Sequence, residues 1–217
     1  GPPLLLLHGF TGAGEDWGQV FDLTALAREY RLVIPDLRGH GRSSNPSEDF
    51  TTRQCATDVL ALLDALGIER CRAIGMSLGG NTLLHVATRA PSRVERMVLV
   101  SSTPYYPASA RRIMATYTEA ARSEAEWADL RSKHVHGDAQ IRALWRHVRG
   151  FADSFDDMSF TPPHLGTVRA PTLLVQGDQD PLYPVELTVE LHRAIPESRL
   201  WVVPGEGHVP LFGVWRE

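Results

Sequence analysis

With 217 residues, 43% of them hydrophobic and 22% charged, the chain is long enough for one large domain that removes roughly 70% of its unfolded surface from water. A net charge of −4 argues against a nucleic-acid scaffold, and two cysteines, Cys55 and Cys71, are too few for a disulfide framework and stand in no zinc-binding spacing. The apolar run at residues 4–7, like every other, is far too short to span a bilayer and lacks the charged leader of a signal peptide. Neither a membrane nor a nucleic acid is therefore expected as a partner, and the cytoplasm is the expected compartment.

From the N-terminus, residues 3–7 form the first expected strand. Residues 15–30 read as one helix with Trp17, Phe21 and Leu26 turned inward, and residues 31–35 as the next strand. A helix follows from Thr51, with a Thr51/Gln54 capping box, an apolar face through Cys55, Val59, Leu62, Leu63 and Leu66, and Gly67 to end it. Strand 71–74, helix 80–89 and strand 96–100 come next. Residues 104–165 then break the rhythm: no strand is evident, and helical patterns run at 108–122, 124–135 and 138–151. This stretch is too long for an ordinary connection and reads as a helical insertion above a sheet. Strand 172–175, a helix at 185–194 opened by Pro184, and strand 200–203 complete the pattern. Continuous rather than alternating apolar runs mark strands buried on both faces. Strand–helix alternation of this kind predicts an α/β fold with a doubly wound, mostly parallel sheet, whose sites collect at the carboxyl ends of the strands.

The candidate chemistry lies at those ends. Gly75-Met76-Ser77-Leu78-Gly79 joins a strand to a helix, the setting of a nucleophile elbow. So tight a turn strains Ser77 and requires small residues two positions to either side, and it leaves the hydroxyl exposed at a helix N-terminus. A serine needs a base. His208 follows the last strand in Pro204-Gly205-Glu206-Gly207-His208 and is the candidate. An orienting carboxylate is expected from Gly177-Asp178-Gln179-Asp180: Asp180 is favoured, and Asp178 is read as a turn former with the opposite assignment left open. Two backbone N–H groups should meet a developing oxyanion, one from Leu78 and one from Phe10 in the glycine-rich loop Leu7-His8-Gly9-Phe10-Thr11-Gly12. His8 is read as structural, and His40, His85, His134, His136, His147, His164 and His192 as solvated surface residues. His134 and His136 alternate within an expected helix and so should face apart, which speaks against a metal pair.

Jointly these motifs resemble those of the α/β-hydrolase superfamily. His8-Gly9-Phe10 resembles its oxyanion loop, Asp36-Leu37-Arg38-Gly39-His40-Gly41-Arg42-Ser43 its DxRGxGxS segment, Gly75–Gly79 its elbow, and Asp180 and His208 its acid and base. The order Ser77, Asp180, His208 is the order of that fold. The resemblance implies core residues 1–103 and 166–217 with a helical cap at 104–165, and a chain that starts at the third strand of an eight-stranded plan. With no initiator Met and an apolar segment at once, further sequence is expected to flank this chain. The implied activity is a carboxylesterase-like serine hydrolase, with Ser77, Asp180 and His208 catalytic, no metal or organic cofactor, and a small-molecule ester as substrate. One alternative is a lyase resembling that of the menaquinone pathway, using the same triad on a multiply anionic substrate, for which Arg142, Arg146 and Arg149 would be the cations. Another is a ligand-binding module resembling hormone receptors. Of the aromatics in or beside the insertion (Tyr105, Tyr106, Tyr117, Trp127, Trp145, Phe151, Phe155, Phe160), two or three are expected to line the pocket. No dimer surface is legible.

Overall fold

The six apolar runs pair into a single sheet in the computed structural model, which describes residues 1–212. They are β1 (Pro3–Leu7), β2 (Arg31–Val33), β3 (Cys71–Met76), β4 (Val94–Val100), β5 (Thr172–Gly177) and β6 (Ser198–Val203). All are parallel, in the order β2-β1-β3-β4-β5-β6. Because the chain runs outward from β1 to β2 and then returns to lay β3 on the other side of β1, the strand order reverses between β1 and β3. The crevice beyond their carboxyl ends is the switch point where ligands bind in such sheets.

Alternation within the strands builds a layer on each face. Leu5 and Leu7 of β1 join Ala73, Leu99 and Leu174 in the larger core, together with helices α2 (Thr52–Ala65), α3 (Leu78–Arg89) and α8 (Val185–Ala194). Leu4 and Leu6 point to the opposite face and meet Trp17, Val100, Val175 and Val203. Helix α2 follows expectation in most respects: Cys55, Val59 and Leu63 are buried, and Gly67 leaves the helix with φ of +64°. The Thr51 hydroxyl accepts from Gln54 N, but the Gln54 amide reaches Asp58 instead of closing the box.

Three expected helices are shorter than the apolar pattern suggested. The 15–30 stretch is a 3-10 turn (Gly14–Gln19) followed by a separate α1 (Leu23–Glu29). Asp22 forces the break, since its side chain accepts from the amides of Thr24 and Ala25 and starts a new helix. Between β4 and β5 lie α4 (Ala108–Ala115), α5 (Glu124–Lys133), α6 (Asp138–Phe151) and the single turn α7 (Pro162–Leu165). The α4 helix stops where the Thr116 hydroxyl bonds back to the Ile113 carbonyl. The α5 helix stops at Lys133 because His134 turns extended and its ring is engaged elsewhere. The whole segment leaves and returns at one place, where Tyr105 bridges Ser159 and Phe160 N donates to Pro104 O. Its Asp157 carboxylate accepts from Thr52 N, the Thr52 hydroxyl and Arg53 N, so this segment caps the core helix α2. Among the described residues, no helix is long and apolar enough to cross a membrane.

Candidate active site

The β3–α3 junction shows why its sequence is so constrained. Ser77 has φ of +50° and ψ of −111°, a region that L-residues rarely occupy. Its amide donates to Val100 O while its carbonyl starts helix α3 by accepting from Asn81 N. A Cβ on Gly75 would stand 2.5 Å from Gly79 O, and one on Gly79 would stand 2.2 Å from Leu7 O. Any larger residue at either position would push the elbow apart. Thr11, in the loop after β1, and Ser101, directly after β4, also carry positive φ, so three of the four non-glycine residues of that kind among the described residues follow the carboxyl ends of β1, β3 and β4.

His208 reaches Ser77 from the loop after β6. Its Nε2 lies 2.8 Å from Ser77 Oγ and its Nδ1 lies 2.7 Å from Asp180 Oδ2. An ionised carboxylate only accepts, so Nδ1 carries the proton and Nε2 is free to accept from the hydroxyl. Burial acts to raise the pKa of Asp180. The bond and charge of His208, with the amides of Tyr183 and Leu182, outweigh it and hold the carboxyl below its ordinary range. Of the two aspartates, Asp180 is the one bonded to His208. Asp178 instead accepts from Gly205 N at 2.7 Å, fastening the turn that leads to the histidine.

Gln176 escaped notice in the sequence. Fully buried at the end of β5, it donates to Asp180 Oδ2 (2.7 Å) and Tyr183 O (2.9 Å) and accepts from the Thr188 hydroxyl. The available signal was an amide closing an otherwise apolar strand two residues before Asp178. Asp180 thereby receives four donors, two on each oxygen.

Phe10 and Leu78 both line the cavity at Ser77. The Phe10 loop rests on histidines that had been read as surface residues, and here the structure corrects the sequence. His40 and His134 are 0% and 1% exposed, and His85 is also buried. Loops that run inside a site leave backbone groups needing partners, and these rings supply them. His40 engages Arg38 O, and His134 bridges Gly41 N and Thr11 O. His8 accepts from Leu37 N and donates to Gly9 O, the structural role expected of it. The His136 ring meets Arg42 O at the surface, whereas that of His134 meets Gly41 N and Thr11 O.

These rings make stability depend on pH. Burial, the largest influence, pushes the imidazoles of His8 and His40 down, His40 furthest, although Asp36 and Asp16 act in the opposite direction on His8. The unfolded chain takes up protons near pH 6.5 that the folded chain refuses, so the contribution is complete above that pH and is lost as pH falls below it. Each ring adds up to about 1.4 kcal/mol per pH unit in that window. The thermal midpoint should fall by several degrees between pH 7.5 and 5.5, and His40→Phe should flatten the slope. A midpoint level across this range in the wild type would contradict the account.

The cavity measures about 130 Å³. Its walls are apolar, formed by Phe10, Met76, Met114, Val148 and Leu182, with Tyr106, Tyr117 and Phe151 the three contributors among the eight aromatics considered. Trp127 and Trp145 instead pack on each other. Among the described residues, no lining residue is an arginine or lysine. Arg142 is held at the surface by Glu119 through two bonds of 2.9 and 3.0 Å, and Arg146 and Arg149 are exposed.

A parallel sheet with a strained serine at its switch point places the chain among the α/β hydrolases, a class of hydrolytic enzymes. Comparison with known proteins makes this specific: the model of the alpha/beta hydrolase fold family matches residues 2–115 and 104–213, and the chain belongs to that family. It is 30% identical to a putative carbamate hydrolase, RutD, of Pseudomonas savastanoi pv. phaseolicola, over 95% of this chain and 86% of that one. Among solved structures it resembles Est816, described as an N-acyl homoserine lactone degrading enzyme (27% identity, TM-score 0.74, 98% and 88% of the two chains). A meta-cleavage product hydrolase of Pseudomonas fluorescens IP01 shares the fold at 20% identity and a TM-score of 0.76, over 96% and 84% of the two chains.

Proposed function

We propose that this chain is a serine hydrolase that cleaves neutral small-molecule carboxylic esters through an acyl-enzyme on Ser77. The observation that carries the proposal is the unbroken chain of hydrogen bonds from Ser77 through His208 to Asp180, opening into an apolar cavity. Ser77 Oγ attacks the ester carbonyl as His208 Nε2 takes its proton, and the N–H groups of Phe10 and Leu78 meet the oxyanion. Collapse expels the alcohol, which receives that proton from His208. A water activated by the same ring then attacks the acyl-enzyme, releasing the acid and restoring Ser77.

Carbamates and lactones, named for two of the relatives, both present an acyl carbonyl to such a nucleophile, which supports this chemistry. Among the described residues the cavity wall is apolar and carries no arginine or lysine, which favours a neutral ester over the multiply anionic substrate of the lyase alternative. Size supports a short acyl group, since the cavity is close to the roughly 150 Å³ that holds a molecule such as benzene. Among p-nitrophenyl esters, butyrate should therefore be turned over many times, with kcat/KM at least about 10-fold above that of octanoate. A single stoichiometric burst, or no release from folded protein, would overturn the esterase reading and favour a lyase or a ligand-binding module. A preference for octanoate would overturn the short-acyl assignment.

A further inference from the structure

The loop that carries Phe10 is fastened by bonds on three successive carbonyls. Gly9 O accepts from His8 Nδ1 and from Gly12 N, and Phe10 O accepts from the Thr11 hydroxyl. Those contacts are local. The third is not: Thr11 O lies 3.0 Å from Nε2 of His134, 123 residues further along the chain. Gly41 N–H donates to Nδ1 of the same ring at 2.8 Å, so the single proton of the neutral imidazole sits on Nε2 and is given to Thr11.

This bond matters because of the backbone it holds. Thr11 has φ of +60°, a conformation that a β-branched residue avoids. Released, Thr11 would relax towards negative φ, and the rotation would pass through the preceding peptide to Phe10. The connection between α5 and α6 that bears His134 is itself well seated: Val135 N donates to Gly41 O, and the Gln140 amide donates to Gly39 O and Gly41 O.

We propose that His134 is a positioning residue for the oxyanion hole, holding the Thr11 carbonyl so that the Phe10 N–H faces the acyl oxygen of an ester at Ser77. This rests on the serine-hydrolase reading above. It makes the helical segment between β4 and β5 part of the catalytic frame as well as the wall of the pocket.

Two substitutions separate the ring's two bonds. The amide nitrogen of His134→Gln falls near Nε2 and can still donate to Thr11, whereas the shorter His134→Asn can place its amide oxygen near Nδ1 to accept from Gly41 N–H but leaves Thr11 O without a donor. His134→Asn should lower kcat for p-nitrophenyl butyrate about 10-fold or more with KM changed less than threefold, and His134→Gln should restore most of the loss. A second readout is independent of turnover: NMR order parameters of the Phe10 and Thr11 amides should drop in His134→Asn and stay near wild type in His134→Gln. Unchanged order at Phe10 in His134→Asn, or equal losses of kcat in both variants that track their melting midpoints, would overturn the proposal. Ser77→Ala, assayed alongside, tests the underlying reading separately: if it still hydrolyses the ester, the hydrolase mechanism fails while the order parameters still decide the role of His134.

Discussion

Ser77→Ala should lower kcat/KM for a short-chain ester by at least about 10⁴-fold, with little change in melting midpoint. The substitution removes one half-buried hydroxyl whose bond is to the His208 ring, and alanine occupies the same backbone conformation no worse than serine. The sheet, the Gly75–Gly79 contact and the first turn of α3 do not involve that oxygen. What disappears is the hydroxyl bonded to His208 Nε2, the proposed nucleophile. His208→Ala should cost about as much, because a serine hydroxyl without a base is a poor nucleophile near neutral pH. The double variant should then be scarcely worse than either single one, since the two groups act as a unit. Residual turnover above about 1% in either single variant, measured on protein free of wild-type carry-over, would remove Ser77 or His208 from the mechanism.

How much of this was legible beforehand depends on what each residue's neighbours in sequence reveal. The six strands could be read because each is a short continuous apolar run bounded by turn residues, a pattern that persists even in β6, which is largely exposed at the sheet edge. The elbow could be read because its constraint is local: Gly75, Ser77 and Gly79 are within four residues of each other, and the steric demand is written in the spacing. Helix boundaries were less legible. Asp22 breaks the 15–30 stretch through its side chain, a competition that apolar periodicity does not register. The buried histidines were the clearest misreading. Residue type predicted exposure for His40 and His134, but His40 turns back on Arg38 O in its own loop, and His134 is buried against Gly41 N and Thr11 O, groups of distant loops that only folding brings to it. Gln176 was hidden for the same reason, as its partners Asp180, Tyr183 and Thr188 lie across a turn and on a following helix. Three of the eight aromatics named line the pocket, but which three depended on the packing of α4 and α6.

Asp180→Asn should lower kcat by about 10³- to 10⁴-fold, whereas Asp178→Asn should stay within about threefold of wild type. The contrast follows from the donors each carboxylate serves. Asp180 is surrounded by four: Leu182 N and Tyr183 N on Oδ1, and Gln176 Nε2 and His208 Nδ1 on Oδ2. An asparagine has one oxygen for two such positions. If its amide nitrogen faces Oδ2's partners, it opposes Gln176 Nε2 and can bond His208 only when the imidazole proton has moved to Nε2. That tautomer cannot accept the proton of Ser77. If the oxygen faces His208 instead, the amide nitrogen confronts the N–H groups of Leu182 and Tyr183, and a buried loop is left with opposed donors. Both orientations lose the negative charge that stabilises the imidazolium formed during attack. Asp178 has a lighter task, accepting a single bond from Gly205 N in an exposed turn, and the oxygen of an asparagine can do the same. Measuring kcat of the two variants side by side, with their melting midpoints, decides the assignment: a crippled Asp178→Asn beside an active Asp180→Asn would transfer the orienting role to Asp178, and two active variants would mean that His208 works without a carboxylate.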